Sequence, residues 1–93
     1  MPVLFLIPGP LQPFAAGRRQ IRLESSPSTV AEALAQLAAL HPGVRDRVVT
    51  EQGQVRPHIN VFVGEENIRD ARGLSTLVPE GAEIAILPAV SGG

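Results

Sequence analysis

The stretch "TVAEALAQLAAL", residues 29–40, is the clearest helix in this chain. Val30, Leu34, Leu37 and Ala38 recur at helical spacing, so one face is apolar. Thr29 followed by Glu32 makes a capping box at its start. "HPG" stops it, because Pro42 cannot continue a helix and Gly43 suits a turn. One helix can cover only one face of a sheet. Whatever strands the chain forms must therefore share one helix and one core.

The strands are short and separated by proline and glycine. Val3 to Ile7 ("VLFLI") is a continuous apolar run of strand length. "PGPLQPFAAG" follows and reads as a turn or loop. Arg18 to Glu24 alternates, with Ile21 and Leu23 on one face and arginines on the other, so strand–loop–strand reads as a hairpin. After the helix, "VRDRVVTEQGQ" fits a short helical turn and then a loop. "HINVFVG" places Ile59, Val61 and Val63 on one face of a third strand. "EENIRDARG" has room for a short edge strand around Ile68, and "LSTLVPEGAE" reads as a turn. "EIAILPAV" is the last strand, and Pro88 marks its end.

The order β-β-α-β-(β)-β with one crossover helix is the plan of an α+β β-grasp, or ubiquitin-like, roll. It predicts a mixed four- to five-stranded sheet with one main helix. The apolar density of the last strand predicts that it lies at the sheet centre, parallel to the first. Both phases of the first strand are apolar: Val3, Phe5 and Ile7 on one, Leu4 and Leu6 on the other. Ile84 and Ile86 share one phase of the last strand, Ala85 and Leu87 the other. Two readings are open for Leu4, Leu6 and Leu87. They form an exposed apolar patch of the kind that marks partner sites, or loop residues 10–17 fold over them.

Composition narrows the function. The chain has 93 residues, 44% hydrophobic and 18% charged, which suits one soluble domain with a modest core. The net charge is -1, and no basic stretch carries interleaved aromatics, so no nucleic-acid partner is expected. No apolar run has the length of a membrane span. "MPVLFLIPGP" lacks a basic start and is broken by Pro8 and Pro10, so it reads as a strand rather than a signal peptide. There is no cysteine, which excludes disulfides and thiol chemistry and is compatible with a reducing, cytoplasmic location. All eight basic residues are arginine. This fits either a GC-rich genome or a protein that gains by lacking amines able to attack an activated C-terminus.

Catalytic constellations are weak. His41 and His58 are far apart in sequence with no ligand spacing, so no metal site is expected. Glu65 and Glu66 sit in a turn, which seldom supplies the pocket that catalytic carboxylates need. No phosphate-cradling glycine motif is present. The reading is of a protein acted on by enzymes rather than an enzyme, with no catalytic residues and no bound cofactor.

The remaining feature is "LPAVSGG". Pro88 blocks the strand ladder, so residues 1–88 read as the β-grasp domain and 89–93 as a flexible tail. Glycine has no Cβ and enters channels too narrow for other residues. A Gly-Gly end therefore offers an unhindered carboxylate to another enzyme's active site. Two terminal glycines arise by chance in roughly one chain in 200, which is weak alone but stronger beside an apolar strand running into the tail.

"ILPAVSGG", together with the layout of "INVFVGEENIRDARGLSTLVPEGAEIAILPAVSGG", resembles the ThiS/MoaD ubiquitin-like sulfur carriers. "IPGPLQPFAAG" and "ILPAV" are most similar to the branch serving cysteine biosynthesis. The resemblance implies that an E1-like adenylyltransferase/sulfurtransferase, using ATP and magnesium, adenylates the Gly93 carboxylate. Sulfur then displaces AMP, leaving a thiocarboxylate. It implies a sulfur-accepting synthase as client, a pyridoxal-phosphate cysteine synthase in the cysteine branch, with a peptidase that later frees cysteine. Gly92 would give clearance, while Ser91, Val90 and Ala89 thread the partner channel. Leu87, Leu4, Leu6 and Phe62 are docking candidates. Arg69 and Arg72 either pair with an acidic partner groove or are simply solvated. Ser91 stands where alanine is frequent in the family. The molybdopterin synthase small subunit and a ubiquitin-like protein modifier are the alternatives.

Overall fold

The computed structural model describes residues 2–88. Five strands form one sheet: β1 (Leu4–Leu6), β2 (Gln20–Arg22), β3 (Ile59–Val63), β4 (Glu66–Asn67) and β5 (Glu83–Pro88). The spatial order is β2-β1-β5-β3-β4. β1 and β5 pair in parallel with Phe5 opposite Ile84, and the other pairings are antiparallel. The last strand is therefore central, as its apolar density requires. This is the β-grasp arrangement with a five-stranded mixed sheet.

Helix α1 (Val30–Leu40) crosses one face. Its N-terminus is held by Thr29 Oγ1, which accepts from the Glu32 amide at 3.2 Å. Glu32 reciprocates by accepting from the Ser28 amide at 3.3 Å, one residue before the cap. Val30, Ala33, Leu34 and Leu37 are buried beneath the helix against Val3, Phe5, Ile21, Val61, Ile84 and Ile86.

Two details differ from the sequence expectation. Pro42 ends α1 but also opens a second helix, α2 (Pro42–Val48), because a proline lacking its N–H fits the first helical position. The expected main helix is present, and the expected short helical turn after it is a companion helix that starts at Pro42, with Val44 and Val48 fully buried. The edge strand is Glu66–Asn67 and not the segment around Ile68. Ile68 instead opens a 3₁₀ turn, Ile68–Asp70, and its side chain is buried.

The loop after β1 is a 3₁₀ segment, Gly9–Ala15. It packs toward the helices. Leu11 and Ala15 are buried, and the guanidinium carbon of Arg47 lies 3.4 Å from the centre of the Phe14 ring. This placement leaves the opposite face of the sheet uncovered by that loop.

Candidate functional site

Strand register determines which side chains share the uncovered face. Leu6 is opposite Gln20 on one side and Ala85 on the other, Ala85 is opposite Phe62, and Phe62 is opposite Asn67. These residues make one row across the sheet. Leu4 lies between Arg22 and Glu83 in the row before it, and Leu87 is opposite Asn60 in the row after it. Leu4, Leu6, Ala85 and Phe62 are half-buried by their neighbours, while Leu87 is 47% exposed. The apolar patch of Leu4, Leu6 and Leu87 is therefore present, joined by Ala85 and Phe62. The phase carrying Val3, Phe5 and Ile7 is the one beneath the helices. The sequence left that choice of face open; the path of the 3₁₀ segment and α1 decides it.

The patch sits beside the point where β5 gives out. Pro88 is still opposite Ile59, at the end of the strand that leads into residues 89–93. The expected thread of Ala89, Val90, Ser91 and Gly92, and the expected modified residue Gly93, lie outside the described residues.

The two arginines singled out in the sequence have different roles. Arg69 is neither a freely solvated cation nor aimed at a carboxylate. Its Nη2 donates to the carbonyls of Ile59 at 2.7 Å, Arg56 at 2.9 Å and Pro57 at 3.4 Å. Its Nε donates to Asn60 Oδ1 at 3.4 Å. It thus clamps the chain entering β3 to the turn after β4. Arg72 is exposed, and its backbone amide donates to Thr76 Oγ1. Sequence reasoning had no pattern for the Arg69 clamp, because its acceptors are main-chain carbonyls many residues away.

Glu65 and Glu66 lie at the β3–β4 turn, where Gly64 takes φ 60° at the first central position, as a type II′ turn demands. His41 caps the junction of α1 and α2, and His58 is exposed just before β3. Among the described residues no three His, Cys, Asp or Glu side chains are grouped to hold a metal ion. Nor is any helix among them long and apolar enough to cross a membrane.

A five-stranded mixed sheet grasping one main helix, with its last strand central, defines a ubiquitin-like protein. The ThiS family model matches residues 5–93, and the chain belongs to the ThiS family. It is 30% identical over 95 residues to the sulfur carrier protein CysO of Mycobacterium tuberculosis, covering 100% of both chains. It is 37% identical over 79 residues to small archaeal modifier protein 1 of Haloferax volcanii, covering 84% of this chain and 86% of that one. Its fold superimposes with a TM-score of 0.87 on a chain of the Amycolatopsis orientalis BexX/CysO complex, at 34% identity, covering 98% of this chain and 99% of that chain.

Proposed function

We propose that the protein is a sulfur carrier that delivers sulfur as a thiocarboxylate on Gly93. The observation that carries this reading is the root of the tail. The central strand β5 ends beside an open apolar face of Leu4, Leu6, Phe62 and Leu87. That face can dock on an enzyme while the tail enters it. The family match running through residue 93 supports the same reading.

In the proposed cycle, an E1-like adenylyltransferase/sulfurtransferase binds ATP and magnesium. A carboxylate oxygen of Gly93 attacks the α-phosphorus and pyrophosphate leaves. A sulfur nucleophile then attacks the acyl carbon and AMP leaves with the former carboxylate oxygen. Gly92 gives clearance in the channel, threaded by Ser91, Val90 and Ala89. The client is a sulfur-accepting synthase. The full-length similarity to CysO favours cysteine biosynthesis, with a pyridoxal-phosphate cysteine synthase and a peptidase as further partners.

The test is the intact mass of the protein after incubation with such an activating enzyme, ATP, magnesium and a sulfide source. Replacement of one oxygen by one sulfur, localised to Gly93 and absent from a Gly93-deleted chain, is the expected result. No mass change with an enzyme active on another carrier of this family would count against the reading. The similarity to small archaeal modifier protein 1 favours conjugation as a second reading. It would appear as Gly-Gly-lysine adducts on other proteins. Stable copurification as a heterotetramer would instead mark a molybdopterin synthase small subunit.

A further inference from the structure

The tail root is bordered on its helix side by an open cleft of about 580 Å³. Asp46, Arg47, Arg56, His58, Ile59 and Pro88 line it. The cations here are held by neutral partners. Arg56 donates Nε and Nη2 to the Asp46 main-chain carbonyl at 3.1 and 2.9 Å. Arg47 donates to the Gly43 carbonyl at 3.2 Å and lies over the Phe14 ring. Arg69, beside them, donates to carbonyls and the Asn60 amide oxygen among the described residues. The one carboxylate among the described residues lining the cleft, Asp46, lies 3.5 Å from Arg45, which offsets its charge. Arg47, Arg56 and Arg69 are thus fixed in place with their positive charge uncompensated among the described residues.

Charge is also divided along the sheet. Arg18 and Arg19 lie at the same end as the cleft, since the Ile7 amide bonds the Arg19 carbonyl just past the end of β1, and β1 runs parallel to β5. Glu65, Glu66 and Glu83 lie at the far end, where β5 begins, with Arg22 as the cation of the Leu4–Glu83 row. A chain whose net charge is only -1 therefore presents a positive end around the root of its tail.

From these observations we infer that the arginines around the tail root form a collar that docks on an acidic rim surrounding the channel into which a partner enzyme takes the tail. The inference rests on the sulfur-carrier reading for the identity of that partner. Chain length argues against a nucleotide phosphate as the collar's target. Five extended residues beyond Pro88 span about 17 Å, so with the tail threaded the collar stays at the mouth, away from the reacting carboxylate. Oppositely charged rims steer encounter and fix orientation, and their effect falls with salt. The collar would orient the body while Leu87 and its neighbours supply apolar contact.

Two measurements test this. The first is an NMR titration of the isotope-labelled protein with a glutamate-rich decapeptide, which needs no partner enzyme. Shifts should concentrate at Arg47, Arg56, His58 and Arg69 and vanish in high salt. Shifts scattered over the surface, or absent, would overturn the collar. The second is the carrier concentration dependence of ATP–pyrophosphate exchange by the activating enzyme. Arg47→Glu and His58→Glu should each raise KM about five- to ten-fold at low salt with kcat unchanged, the difference shrinking as salt rises. Exposed His58 supplies a variant that keeps the fold if Arg47→Glu loosens the Phe14 contact. Glu24→Gln, a control away from the collar, should leave KM as it was. Equal KM values for the wild type and both reversals would overturn the inference. Peptide shifts at the collar with no activation of the wild-type chain would support the acid-binding surface and count against the sulfur-carrier reading.

Discussion

Ile86 and Leu87 are adjacent on β5 and point to opposite faces, so truncating each should give opposite phenotypes. Ile86 is 1% exposed within the core. Removing it to alanine leaves a cavity among packed side chains, and such truncations cost about 3 kcal/mol of stability. Leu87 is 47% exposed, so roughly half of its side chain is still open to water and available to a partner. Full burial of a leucine contributes about 2 kcal/mol. Covering the remaining half gives about 1 kcal/mol, equivalent to a roughly five-fold change in affinity. About half of Leu87 is already buried in the fold, so Leu87→Ala should unfold in urea within about 1 kcal/mol of the wild type. It should raise the carrier's KM in ATP–pyrophosphate exchange about five-fold. Ile86→Ala should lower the urea midpoint sharply and leave KM unchanged at temperatures where it remains folded. A Leu87→Ala variant as unstable as Ile86→Ala would show that the sheet face is not open. A stable Leu87→Ala with unchanged KM would show that the open face is not where the activating enzyme docks.

Other substitutions probe the supports of this arrangement. Arg69→Met should lose about 1–2 kcal/mol in urea unfolding, because charged hydrogen bonds to carbonyls are lost. Arg69→Lys should recover little of it, since an ammonium cannot reproduce the planar fork. Gly64→Ala should lose about 1–2 kcal/mol, because its φ of 60° is strained for an L side chain even though open space surrounds the new Cβ. The same change at Gly43, inside α2, should instead gain about 0.5 kcal/mol by the same assay. There the Cβ meets the Phe14 ring at ordinary contact distance. Thr29→Ala should lower stability by about 1 kcal/mol, read as a lowered melting temperature.

The elements that could be read from sequence were those with a period or a cap. Alternation in Ile59–Val61–Val63 and helical spacing in Val30–Leu34–Leu37 each repeat several times within one element. The apolar density of β5 indicated its central position for the same reason. Pro42 misled because it ends one helix and begins the next, and only the space beneath the second helix shows which role matters. Ile68 looked like an edge-strand residue because it is apolar and flanked by polar ones. Its burial comes from a 3₁₀ turn that no two-residue alternation describes. The candidate site divided in the same way. Leu4, Leu6 and Leu87 could be grouped by strand phase. The cleft of Arg47, Arg56 and His58 could not, because it joins a helix, a loop and the end of a strand that are distant in sequence.

The strand order has a consequence for how the molecule comes into being. β1 with β2, and β3 with β4, are hairpins that meet only through β5. A two-stranded ribbon is marginal in water. While a ribosome is still extending the chain, neither ribbon has its neighbour, and the parallel pairing of Leu4 with Glu83 closes a loop of nearly the whole sequence. Such distant pairings are slow to form, so the sheet is completed after the last strand has been released. Nascent chains that stall before β5 lack Leu87, Pro88 and the apolar face formed beside them. On the sulfur-carrier proposal, an activating enzyme that docks on that face would accept only chains whose synthesis reached β5.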